Sequence, residues 1–65
     1  MKVTINNKES DTSALNVRQL AEELHLPATG VAVAINNEIV HRDVWETTLI
    51  RDGADIVIIK AFSGG

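Results

Sequence analysis

Apolar and polar residues alternate from the start of the chain: Val3 and Ile5 fall on one side, Lys2, Thr4 and Asn6 on the other. A period of two predicts a strand with one buried face. Asn6-Asn7 follows. Asparagine tolerates the left-handed backbone that a tight hairpin needs, so the polar stretch KESDT at 8–12 is expected to be the return strand. From Leu15 the period changes. Val17, Leu20, Ala21 and Leu24 stand at i, i+3, i+4 and i+7, which lines one face of a helix. Asn16 is placed to cap it, with Gln19 three residues on as in a capping box, and Leu15 and Leu20 as the partners of a hydrophobic staple. Arg18, Glu22 and Glu23 point to water, and Pro27 is expected to end the helix near His25.

The stretch GVAVAINN, 30–37, reads as a strand that is apolar or small on both faces, with Val31, Val33 and Ile35 on one and Ala32 and Ala34 on the other. A second Asn-Asn pair, Asn36-Asn37, predicts a second hairpin into EIVHR at 38–42. DVWETTLI, 43–50, suits a short helical turn capped by Asp43, with Trp45 and Leu49 facing in. Asp52-Gly53 signals a turn that launches DIVIIKAF at 55–62. A helix this short is not stable alone, so it must pack on one face of the sheet, as a two-layer α+β roll. The last strand carries Ile56 and Ile58 on one face, Val57 and Ile59 on the other. Strands apolar on both faces sit in sheet centres, which requires this one to pair with the first.

Sixty-five residues allow one domain, read as 1–61, with a flexible tail at 62–65 ending in Gly-Gly. A chain of this size buries only about 60% of its unfolded surface. With no cysteine there is no disulfide framework and no thiolate zinc site, and His25 and His41 share no helical spacing, so no metal is expected. Stability must come from an apolar core, which 45% hydrophobic residues permit. A formal charge of −3, a pI near 5.1 and two aromatics, Trp45 and Phe62, argue against nucleic acid. That partner needs clustered cations and stacking rings. The segment MKVTINN has no signal-peptide core and no run approaches membrane length, so a cytoplasmic chain that is a monomer on its own is expected.

No nucleophile–base pair appears. Ser63 and the other hydroxyls have no histidine at a recognisable spacing, and no phosphate-binding glycine loop occurs. Glu22 and Glu23 are adjacent, and adjacent helical residues diverge by about 100°, so a solvated face explains them. His41 reads as a surface strand residue, His25 as a favourable partner for the helix dipole, and Trp45 as core. Phe62 lies beyond the apolar run and is a candidate contact for another protein.

That leaves Gly64-Gly65. Chance and fraying of chain ends account for such a pair in some proteins. The functional alternative is physical: without Cβ atoms, a backbone enters channels too narrow for other residues. Residues 61–65 would reach about 17 Å when extended. The only reactive group there is the α-carboxylate, ionised at neutral pH and a poor electrophile until activated. A partner with ATP would activate it as an acyl-adenylate, and the chain would be that reaction's substrate.

From Gly30 to Gly65 the sequence resembles the ThiS family of sulfur carriers in thiamine biosynthesis. The shared features are AVAIN with its Asn-started hairpin, Val40, Arg42, Trp45, Leu49, Asp52-Gly53, Asp55-Ile56 and Gly64-Gly65, with LNVRQL in the helix also fitting. The resemblance implies a β-grasp (ubiquitin-like) roll, a mixed sheet of four to five strands with one main helix on one face. It implies a carrier rather than an enzyme. Gly65 would be adenylated by a ThiF-type adenylyltransferase using MgATP, with no cofactor bound by this chain. A thiocarboxylate would follow, its sulfur drawn through a cysteine desulfurase relay and delivered to a ThiG-type thiazole synthase, with Gly64 and Ser63 threading the tail. His41 departs from the proline often found there. The small subunit of molybdopterin synthase, with the same tail chemistry, and a ubiquitin-like modifier or interaction module are the alternatives.

Overall fold

The computed structural model describes residues 1–27 and 29–60. The domain boundary at 61/62 and the site residues Phe62, Ser63, Gly64 and Gly65 lie outside the described residues.

Five strands form one sheet: β1 Lys2–Ile5, β2 Lys8–Asp11, β3 Val31–Ile35, β4 Glu38–Val40 and β5 Asp55–Lys60, in the order β2-β1-β5-β3-β4. The doubly apolar β5 is central, as its composition requires. It runs parallel to β1 and antiparallel to β3. Both hairpins turn on two residues, with Ile5 opposite Lys8 and Ile35 opposite Glu38. Asn6, Asn7, Asn36 and Asn37 have φ of 52, 68, 51 and 70°. Positive φ at both loop positions is the tight turn whose twist matches that of paired strands.

The first asparagine of each pair also grips β5. Asn6 Nδ2 donates to the Ile58 carbonyl at 3.2 Å, and the Ile58 N–H donates to Asn6 Oδ1 at 2.8 Å. Asn6 thus continues the β1–β5 ladder with its side chain after the β1 backbone has turned away. Asn36 does the same at the other end, accepting from the Asp55 N–H at 3.1 Å while its own N–H donates to the Asp55 carbonyl at 2.8 Å.

Helix α1, Val17–Glu23, is capped by Asn16, whose side chain accepts from the Gln19 N–H at 2.8 Å. The Gln19 side chain reaches back to the Leu15 N–H, one residue before the cap. The staple does not form: Leu15 is 61% exposed while Leu20 is buried. The segment carrying Leu15 pairs instead with 48–50, the Val17 N–H donating to Thr48 O and the Ile50 N–H to Leu15 O. Leu15 is thereby held away from the helix face. Alternation along that pairing buries Ile50 and turns Leu49 outward, so the expectation that Leu49 faces in is wrong.

The helix ends near His25 as expected, through a closure of its own made before Pro27 is reached. His25 has φ 56°, the His25 N–H donates to Glu22 O, and the Leu26 N–H donates to Ala21 O. This pair of bonds around a left-handed residue is the Schellman closure. Leu24 is therefore the C-cap, partly exposed rather than part of the buried stripe. Arg42–Thr47 is a 3-10 helix, α2, capped by His41, with Asp43 in its first turn rather than at the cap. Trp45 is buried there and donates from Nε1 to Val40 O at 2.9 Å. At the 51–54 turn, Gly53 has φ 85° and the Ala54 N–H donates to Arg51 O, which suits glycine at the third turn position.

The core joins Val17, Leu20 and Ala21 of α1 to Val3, Val33 and Ile56 of the sheet, closed by Trp45, Ile50 and Ala54. The helix covers that face of the sheet. Thr12 is a buried polar residue beside it. Its hydroxyl donates to Glu23 Oε2 and accepts from the Ala14 N–H.

Candidate functional site

The other face of the sheet is divided. On β1 and β2 it presents Lys2, Thr4, Glu9 and Asp11, with Lys2 opposite Asp11 and Thr4 opposite Glu9. Across β5, β3 and β4 it is apolar. Ala34 is flanked by Val57 on β5 and Ile39 on β4, and Ala32 lies opposite Ile59. Ile39 is 58% and Ile59 54% exposed, while Val57 and Ala34 are half-buried. The two alanines make a shallow trough between the isoleucines of the neighbouring strands. Asp55, whose carboxylate accepts from the Thr4 hydroxyl at 2.9 Å, borders the patch on the β1 side. Acidic residues thus flank one side of the patch. A contiguous apolar face with a charged margin is the usual form of a protein-binding surface. Its last residue, Ile59, is one step before Lys60, from which the chain leads into 61–65.

The remaining residues singled out in the sequence have local explanations. Glu22 pairs with Arg18 at 3.7 Å and Glu23 with Thr12, so the two carboxylates serve different partners. Arg18 also reaches Glu46 of α2 at 3.1 Å. His25 closes the helix, and Arg42 stacks on the Trp45 ring with its guanidinium carbon 4.9 Å from the centroid. His41 has φ −67°, the value a proline ring imposes, so the departure from proline leaves this turn intact. Among the described residues no group of three His, Cys, Asp or Glu side chains converges as a metal site. No described helix is long and apolar enough to cross a membrane. The exposure of Ile39 and Ile59 shows that no described loop covers this face.

Fold and surface define a β-grasp, ubiquitin-like domain with an exposed apolar sheet face that includes its C-terminal strand. The model of the ThiS family matches residues 2–65, and the chain belongs to that family. It is 32% identical to the sulfur carrier protein ThiS of Escherichia coli (strain K12), with both chains covered in full. The crystal structure of the thiamine biosynthesis protein ThiS from Geobacter metallireducens superposes with a TM-score of 0.85 at 29% identity, again over the whole of both chains. The solution structure of a thiamine biosynthesis protein from the same organism gives 0.83 at 29% identity, covering all of this chain and 88% of the other.

Proposed function

We propose that this chain is a sulfur carrier of thiamine biosynthesis that holds sulfur as a thiocarboxylate on Gly65. A ThiS-family protein is a carrier and not a catalyst, and it works with enzymes that activate and consume its cargo. The observation that carries the reading is the family match, which runs through residue 65 and so takes in Gly64-Gly65.

The scheme follows from the chemistry of a carboxylate. Its oxygen attacks the α-phosphorus of MgATP on a ThiF-type adenylyltransferase, pyrophosphate leaves, and Gly65 becomes an acyl-adenylate. The terminal sulfur of a persulfide on a cysteine desulfurase relay then attacks the carbonyl and displaces AMP, and a thiol reduces the resulting acyl disulfide, releasing the thiocarboxylate and leaving a disulfide on the relay side. One oxygen of Gly65 has been replaced by sulfur, which a ThiG-type thiazole synthase takes up. ATP and magnesium belong to the activating enzyme, and this chain binds no cofactor of its own. Gly64 and Ser63 thread the cleft because small residues let the backbone pass, and Phe62 contacts the partner at the cleft's mouth. The apolar face around Ile39 and Ile59 docks the globule while the tail is inside. The chain acts as a cytoplasmic monomer.

The test is intact-mass spectrometry after incubation with the activating enzyme, MgATP and a sulfur source. The expected result is exchange of one oxygen for sulfur in the full chain and none in a chain lacking Gly65. An unchanged mass beside an enzyme that modifies its own cognate carrier refutes the assignment.

A further inference from the structure

Support falls away along β5 toward its end. Ile56 is fully buried, Ile58 is half-buried, and Ile59 and Lys60 are exposed. On one side β3 accompanies the strand to its last residue, with Val31 opposite Lys60. On the other side the β1 backbone pairs only as far as Ile5 opposite Ile56, then turns away into the Asn6-Asn7 hairpin. A groove of about 490 Å³ lies there, lined by Ile5, Leu24, Leu26, Ile58 and Lys60, so at Lys60 the strand overhangs open space rather than core. Among the described residues, the hydrogen bonds that reach β5 beyond Ile56 from the β1 side are the two made by the Asn6 side chain to Ile58, at 3.2 and 2.8 Å.

We infer that Asn6 is a positioning residue for the activation of Gly65: its side chain fixes the strand end from which the chain is presented to the activating enzyme. The inference rests on the carrier reading. Ile59, between the clamped Ile58 and Lys60, belongs to the apolar docking face and is 54% exposed. The docking face and the point of departure of the chain thus share one strand, and the clamp sets the relation between them. Residues 61–65 are all that separate Lys60 from the α-carboxylate, and five residues span at most about 17 Å. So short a connection takes up little error, and a shift of the strand end passes on to the terminus. Misplacement of a reacting group by about 1 Å can cost on the order of 100-fold in rate. Docking depends on different bonds. The β3–β5 ladder holds Ile59 opposite Ala32 and Val57 opposite Ala34, and it does not involve Asn6.

The fold supplies its own control. Asn36 grips β5 in the same manner at Asp55, the opposite end of the strand. Asn36→Gly therefore removes a clamp of the same kind without loosening the strand end at Lys60.

The test measures adenylation of the full-length chain by ATP–pyrophosphate exchange on the activating enzyme, with kcat and KM for the carrier determined separately. All variants are assayed where their urea curves show them folded. In Asn6→Gly the expected result is a fall in kcat of about tenfold, with KM within about twofold of the parent. Asn36→Gly and Asn7→Gly should stay within about twofold in both constants. Amide exchange in the free chain should be faster at Ile58 in Asn6→Gly alone. Equal losses of kcat in Asn6→Gly and Asn36→Gly would reduce the effect to lost stability and overturn the inference. An unchanged kcat in Asn6→Gly would overturn it too, as would a rise in KM alone, which would assign the clamp to the docking face instead. In each of these cases the parent chain is still adenylated, so the carrier reading stands. If the parent chain is not adenylated by an enzyme that activates its own cognate carrier, the carrier reading fails and this inference falls with it.

Discussion

Replacing Asn6 by glycine isolates what its side chain contributes to holding β5. Glycine keeps the turn, since φ of 52° costs it nothing, but removes both bonds to Ile58. Each such bond contributes about 0.5–1.5 kcal/mol net, so the loss is about 1–3 kcal/mol, toward the lower end because water reaches the freed groups. A domain of this length has a total stability of roughly 3–10 kcal/mol, so the change is large. Asn7→Gly is the internal control. Asn7 has the same left-handed backbone at φ 68°, and among the described residues its side chain makes no hydrogen bond. The extra freedom glycine gives the unfolded chain is the same at both sites and cancels in the comparison. Asn36→Gly should fall between, since one side-chain bond, to the Asp55 N–H, is lost there. Urea unfolding followed by the fluorescence of Trp45, the only tryptophan, gives the three free energies. Amide exchange should show faster opening at Ile58 in Asn6→Gly. Free energies for Asn6→Gly and Asn7→Gly within about 0.3 kcal/mol of each other, inside normal additivity error, would refute the clamp.

Ile59→Glu should leave stability within about 0.5 kcal/mol, because the side chain is 54% exposed. It should weaken binding to the activating enzyme about thirtyfold, or about 2 kcal/mol, in a calorimetric titration. An unchanged Kd would move the docking surface elsewhere. His41→Pro should stabilise the fold by about 0.4–1 kcal/mol in the urea assay, since φ already suits proline and the β3–β4 ladder ends at Val40. A loss of stability would mean the His41 N–H has a structural role.

The hydrophobic pattern was enough to predict the strands, the helix, both hairpins and the central place of β5, because these follow from periods of two and 3.6 and from the backbone demands of Asn-Asn. Where expectation failed, the competing interaction was distant in sequence. Leu15 and Leu49 face outward because 15–17 pairs with 48–50. As for the site, the sequence singles out Gly64-Gly65 by composition alone, and the pair lies outside the described residues. An apolar sheet face left over by a single helix was legible in part, from strands apolar on both sides, but alternation along one strand cannot say which face the helix will cover.

The two INN stretches show where the division falls. From sequence they are one turn used twice, which is a local matter of φ that the asparagine backbone settles by itself. That the first asparagine of each also grips β5, at Ile58 and at Asp55, was decided only when the chain brought residues some 20 and 50 positions apart side by side. Local geometry depends on neighbours along the chain. Partners for a polar side chain depend on neighbours in space, and those exist only once the core has closed.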